Sequence, residues 1–298
     1  MKIDRRTFIQ SATAATAAGV LAPVEGFGGA VKKPTIYVIH GEDAKKMLLA
    51  GVGKLGGFDK LVKKGGKVTL KPNAAWASRP EQGGNTSPDL VGACVKACKA
   101  AGAKQVVVPE NTCSPARKAF SLSGVEAAVK AAGGEMYSAE DRKHFREVKI
   151  PNGKELKETD VAIDVMDTDL LINMPVAKSH SGCTITASLK NWMGSVKNRK
   201  TWHMKGVHQC VADVNTVIRA DLIVVDATRI MTTDGPRGPG NVEHPKQLIV
   251  GTDPVAIDAY AATLFKLKPF DVEHIKIAHD MKLGVGDLDQ VEVVHIEV

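Results

Sequence analysis

Short apolar runs alternate with helical stretches along this chain, and that alternation constrains the fold more than any other feature. Residues 35–40, 67–70, 105–109, 170–173, 222–226, 247–250 and 291–298 have the length and composition of strands. Residues 44–62, 86–102, 124–132, 185–196, 209–219 and 254–265 have helical spacing. Thr86, Ser87 and Pro88 open the second of these with a hydroxyl cap followed by proline in the first turn. Asn152-Gly153 marks a hairpin with a tight turn within residues 148–157. Strands separated by helices run parallel and bury both faces. The expectation is an α/β fold: a mostly parallel sheet with helices on both faces. No repeat or long linker divides residues 31–298, which are expected to form a single α/β domain, with a division into two lobes left open.

Residues 1–30 read as an address. Arg5 and Arg6 precede the apolar Phe8 and Ile9, and residues 12–22 form an alanine-rich, weakly hydrophobic run. This is the pattern of a twin-arginine export signal, cleaved between Ala22 and Ala30. The run is too short for a spanning helix, which needs about 20 strongly apolar residues. The expected course is export by the twin-arginine translocase to the periplasm or beyond, with no stable membrane anchor. That route moves folded proteins, often ones that acquire a cofactor first.

The formal net charge of +7 suits a small anionic ligand. Nucleic acid is not the expected partner, because aromatics make up only 4% of the chain and the lysines are dispersed. The five cysteines, Cys94, Cys98, Cys113, Cys183 and Cys210, are odd in number and form neither a CxxC nor a ferredoxin-type run. Cys94 and Cys98 fit one buried helix face, while the other three lie near elements of the candidate site.

Several strands end in polar residues, and in a parallel sheet those ends share one edge, where open α/β folds bind ligands. Lys71 and Asn73 follow the second strand, and Asn111 and Cys113 follow the third. The strand at 170–173 runs into a proline-ended loop bearing Lys178 and His180, and Asp226 ends the next strand. His180, His203 and His208 are candidate ligands of one metal ion, with Cys113 as a further donor. Lys190 lies in a stretch of apolar and small residues; turned inward, it requires an anionic partner or a covalent role. Lys71, Asn73, Lys178, Asn191 and Asp226 are candidate ligand-binding groups, and His180, Lys190 and His208 candidate catalytic ones. Helix capping accounts for Asp253; Asp258 is left over as a supporting group behind the site.

The segments LKPN at 70–73, TSPDLV at 86–91, INMPVAKSH at 172–180, TASLKNWMG at 186–194, DGPRGPG at 234–240 and GTDPVAIDA at 251–259 resemble the domain of unknown function 362 family. The resemblance covers nearly all of the chain after residue 30, in order. Some members of that family carry an appended ferredoxin-like module, and this chain has no matching cysteine run. The segment 169–208 also resembles the cofactor region of the nickel-pincer lactate racemase family. That resemblance implies a lysine, here Lys190, that holds an organometallic cofactor covalently. It also implies a nickel-ligating histidine among His180, His203 and His208, with others as acid and base. Cys113 stands where that family has a catalytic histidine, so racemase activity itself is not expected.

These readings converge on an exported cofactor- or metal-dependent enzyme acting on a small anionic substrate, its cofactor a metal ion or a covalently held organometallic group. Two alternatives stay open: a non-catalytic anion-binding protein, and a thiol or iron–sulfur redox protein.

Overall fold

The computed structural model describes residues 33–298. The export signal expected over residues 1–30 lies outside the described residues. The strands, in chain order, are β1 (Thr35–His40), β2 (Lys67–Pro72), β3 (Gln105–Glu110), β4 (Glu135–Ser138), β5 (Phe145–Lys149), β6 (Glu158–Ala162) and β7 (Leu170–Met174). They continue as β8 (Val176–His180), β9 (Thr184–Thr186), β10 (Leu222–Met231), β11 (Val242–Glu243), β12 (Gln247–Gly251) and β13 (Glu292–Glu297).

All but β5 and β6 belong to one sheet of 11 strands, whose main path runs β13-β1-β12-β10-β7-β2-β3-β4. β4, β3, β2, β7 and β10 run parallel to one another, as do β1 and β13, whereas β12 is antiparallel to both β1 and β10. The fold is therefore α/β with a mostly parallel sheet.

Both faces are buried, and the period of two along each strand shows it. Leu170 and Ile172 of β7 join one apolar cluster while Leu171 joins another. On β10, Leu222 and Val224 enter the first cluster and Ile223 and Val225 a third; Leu248 and Val250 of β12 part from Ile249 in the same way. The first layer is closed by the helices Ala44–Gly53, Pro88–Ala100 and Val125–Ala131, and the opposite side by Val207–Val214, Pro254–Thr263 and Glu273–Asp280. None of the helices among the described residues is long and apolar enough to cross a membrane.

Four local expectations are corrected. The loop expected after Pro175 is a strand. β7 pairs with β10 at Leu222 and Ile223, and β8 takes over the same edge at Asp226. Pro175 interrupts the ladder because it has no N–H, yet its carbonyl still accepts Asp226 N at 2.8 Å. Lys178 and His180 thus stand on a strand, in register with Thr186 and Thr184 of β9.

The helix expected over 185–196 is β9 followed by a 3-10 segment, Leu189–Ser195. Side chains from other elements take the backbone groups an α-helix would satisfy internally. Asp258 accepts the N–H groups of Ser188 at 2.7 Å and Leu189 at 3.0 Å, Asn173 Nδ2 donates to Ser188 O at 3.0 Å, and Asn215 Nδ2 donates to Leu189 O at 2.9 Å.

The helix Pro88–Ala100 begins where its proline predicts, but Ser87 makes no side-chain cap. Ser87 N donates instead to Asp226 Oδ2 at 2.7 Å, and Thr86 Oγ1 donates to Met174 O at 2.7 Å. The hairpin of β5 and β6 flanks a longer loop, residues 150–157, rather than turning tightly at Asn152-Gly153. Buried Asp213 gathers that loop by accepting the N–H groups of Lys154, Glu155 and Leu156 at 2.9, 2.8 and 2.8 Å.

Candidate functional site

The carboxyl ends of β2, β3 and β8 open onto a cavity of about 370 Å³. Such a volume is ample for a small metabolite. Asn73 reaches it from the end of β2, Cys113 from the loop after β3, and Lys178 and His180 from β8. The 3-10 segment contributes Lys190 and Asn191, and the next turn of chain adds Arg199, Lys200 and His203.

An asparagine network fixes this wall. Asn191 Nδ2 donates to Lys71 O at 2.7 Å and to Asn173 Oδ1 at 2.8 Å, joining the 3-10 segment to β2 and β7. The register of β2 and β7 sets Lys71 opposite Asn173, which brings both acceptors to one amide.

Lys178 is 1% exposed and has no carboxylate partner among the described residues: its Nζ donates to Asn73 Oδ1 at 3.0 Å and to Gly84 O. Burial pushes its ammonium down to about 7, and the charges of Lys190 and Lys71 act in the same direction against Cys113 and Glu110. Arg199 is likewise held by backbone carbonyls, with Nη1 on Asn111 O at 2.7 Å and Nη2 on Thr112 O. Lys190 is 8% exposed and its Nζ lies 3.0 Å from His180 Nε2. Burial lowers the pKa of Lys190. Burial also takes His180 down to about 3, assisted by Lys190 and Lys178. His203 is lowered by burial and by Lys190.

The remaining candidates stand behind or beside the cavity rather than on its wall. Lys71 is fully buried, 2.9 Å from Glu110 Oε2, and its ammonium also reaches Pro72 O at 2.5 Å. Asp226 spends both oxygens on the fold, accepting Ser87 N and the Thr228 N–H and hydroxyl at 2.7, 3.0 and 2.6 Å. His208 Nε2 lies 3.5 Å from Glu273 Oε2, and its ring stacks on His274 with centroids 5.7 Å apart. Burial lowers the pKa of His208.

The donor set does not fit a metal centre: among the described residues no three His, Cys, Asp or Glu side chains are grouped so as to hold an ion. His180 turns its two ring nitrogens to Gly182 N and Lys190 Nζ. Cys94, Cys98, Cys183 and Cys210 are buried as free thiols, and Cys113 is exposed.

Arg199 and Lys200 were not among the expected site residues. The basic run at 197–200 was their only trace in the sequence, and a charged run is ordinarily a solvated face.

The family model described as Domain of unknown function (DUF362) matches residues 68–263. The chain belongs to the DUF362 family. The match spans β2 to the helix Pro254–Thr263 and so includes every cavity residue named above. This DUF362 chain is 26% identical over 247 residues to the thylakoid-associated protein sll1697 of Synechocystis sp., covering 78% of the chain and 72% of that protein. A lactate racemase apoprotein structure from Thermoanaerobacterium thermosaccharolyticum aligns at 10% identity and a TM-score of 0.44, covering 70% of this chain and 54% of that one. The chain thus spans about half of that protein's length, and so distant a likeness carries no argument about the activity of this DUF362 protein.

Proposed function

We propose that this protein is an exported enzyme that acts on a small anionic substrate in the cavity at the carboxyl ends of β2, β3 and β8. One observation carries the reading. Lys178, Arg199 and Lys200 all line the cavity, and no Asp or Glu does among the described residues. Two of these cations, Lys178 and Arg199, are held by neutral oxygens, which orient a charge without cancelling it. Glu110, whose charge reaches Lys178, already pairs with Lys71. An anion entering the cavity therefore completes an electrostatic arrangement the fold leaves open. Paired Lys190 and His180 beside the ligand favour a catalytic role over simple capture. Arg5, Arg6 and the apolar run after them support export by the twin-arginine translocase.

Calorimetric titration with oxalate, succinate and phosphate tests the anion site. Binding that weakens about tenfold or more in Lys178→Met or Arg199→Met is expected, since a charge-assisted hydrogen bond contributes roughly 1.5–3 kcal/mol. No binding, or binding indifferent to both substitutions, overturns the reading. Turnover is read by NMR of small oxo, hydroxy and amino acids incubated with the full chain. Binding without consumption of any of them leaves a non-catalytic anion-binding protein. Growth fractionation tests export: retention of the chain in the cytoplasm of a twin-arginine-competent host overturns that part.

A further inference from the structure

The protonation state of Lys190 can be read from hydrogen bonds alone. Gly182 N–H donates to His180 Nδ1 at 3.0 Å, so that ring nitrogen is an acceptor and carries no proton. A neutral imidazole then bears its proton on Nε2. Nε2 is the atom 3.0 Å from Lys190 Nζ, and as an N–H it can only donate. Lys190 must accept, which an ammonium cannot do and a neutral amine can. The strand supplies the rest of this geometry. His180 ends β8 in register with Thr184, the turn to β9 brings the Gly182 N–H back to Nδ1, and the 3-10 segment presents Lys190 to Nε2. A buried amine with a lone pair, facing a cavity whose remaining cations attract an anion, is an uncharged nucleophile among charged anchors.

We infer that Lys190 is a covalent nucleophile whose ε-amine condenses with the carbonyl group of an anionic aldehyde or ketone held by Arg199, Lys200 and Lys178. The Nζ lone pair bonds to the carbonyl carbon, and the π electrons move to oxygen. One Nζ proton transfers to that oxygen to give the carbinolamine, with His180 Nε2 within reach of Nζ. The second Nζ proton leaves with the hydroxyl as water, and the carbon–nitrogen bond becomes an imine. One amine and one carbonyl thus give one imine and one water, with no oxidant or reductant. This step rests on the anion reading of the cavity, and its test separates the two.

The full-length protein is incubated at neutral pH with pyruvate, glyoxylate or succinic semialdehyde and sodium cyanoborohydride, then digested and mapped by mass spectrometry. At neutral pH an exposed lysine has about one amine in a few thousand unprotonated, so Lys190 should be reduced to its secondary amine at least about a hundredfold faster than exposed Lys64 and Lys96. Excess propionate, which has the charge but no aldehyde or ketone carbonyl, should suppress the adduct. Lys190→Arg should keep propionate binding and lose the adduct. Adducts spread evenly over exposed lysines, or propionate binding with no adduct at Lys190, overturn the nucleophile while the anion site stands. Absence of both binding and adduct overturns the two together.

Discussion

Lys71 and Glu110 form an ion pair of 2.9 Å with neither side chain exposed to solvent. The pair links β2 to β3 just behind the cavity, and Glu110 Oε2 also accepts Ala74 N at 2.9 Å. Removing one partner leaves the other as an unpaired buried charge, at a cost of roughly 3–5 kcal/mol. Lys71→Met and Glu110→Gln should therefore each lower the denaturation midpoint strongly. The double substitution should cost less than the sum of the two. Chemical denaturation of the three variants measures this, and additive losses would show that the pair is not energetically coupled.

Gly194 is required by the same pair. A Cβ there would lie 2.1 Å from Glu110 Oε1 and 2.8 Å from Lys71 Nζ, and Gly194 O accepts Asn111 N at 2.8 Å. Gly194→Ala should force the ion pair or the 3-10 segment to move, with a loss of a few kcal/mol typical of overpacking. Thermal unfolding of Gly194→Ala should show a clear drop. Gly57→Ala is a poor control because of its positive φ of 81°, whereas Gly53→Ala, at a helical position with open space around the new methyl, should not lower stability and should raise it by up to about 1 kcal/mol.

Periodicity made the sheet legible, and long-range side-chain-to-backbone bonding hid the site's inner wall. β1 follows its expected bounds, and β7, β10 and β12 begin where the apolar runs begin, because both faces of these strands are buried. Local spacing could not reveal that Asp258 and Asn215 would capture the backbone of residues 188 and 189 and turn an expected helix into a 3-10 segment. Pro175 likewise looks like a terminus in sequence, and only the length of β10 shows that β8 resumes the ladder. Strand-end logic picked out Asn73, Lys178 and His180, and an inward-turned lysine among apolar residues picked out Lys190; all four line the cavity. Strand position could not separate the first three from Lys71 and Asp226, whose charges are consumed by Glu110 and by the backbone at Ser87 and Thr228.

Asp258 positions the segment that carries Lys190. Its two oxygens hold Ser188 N and Leu189 N, and it is fully buried. Asp258→Ala would strand two buried N–H donors at about 1–3 kcal/mol each. It should lower both the melting temperature and anion affinity, although Asp258 does not line the cavity. Burial lifts its carboxyl to about 7, against the pull of those two N–H groups. A folded-state pKa above the unfolded one means the folded chain holds the extra proton between about 4 and about 7. Its contribution to stability should therefore fall as pH rises through that window. Asp258→Asn, which cannot titrate, should flatten that part of the stability profile.

Lys178 gives the cavity a proton-linked response of opposite origin. Its pKa falls from 10.5 to about 7 on folding, so between these values the unfolded chain holds a proton that the folded chain lacks. Stability of the ligand-free protein should gain up to ~1 kcal/mol per pH unit from this group as pH rises from about 7 to about 10. That slope should vanish in Lys178→Met. An anion bound beside Nζ favours the ammonium and raises its pKa again, so binding above pH 7 must take up a proton. Titrations with succinate in buffers of different ionisation enthalpy should show that uptake, with affinity increasing as pH falls towards 7 and levelling off below it. Lys178→Met should bind without proton uptake; uptake unchanged in that variant would assign the linkage to another group.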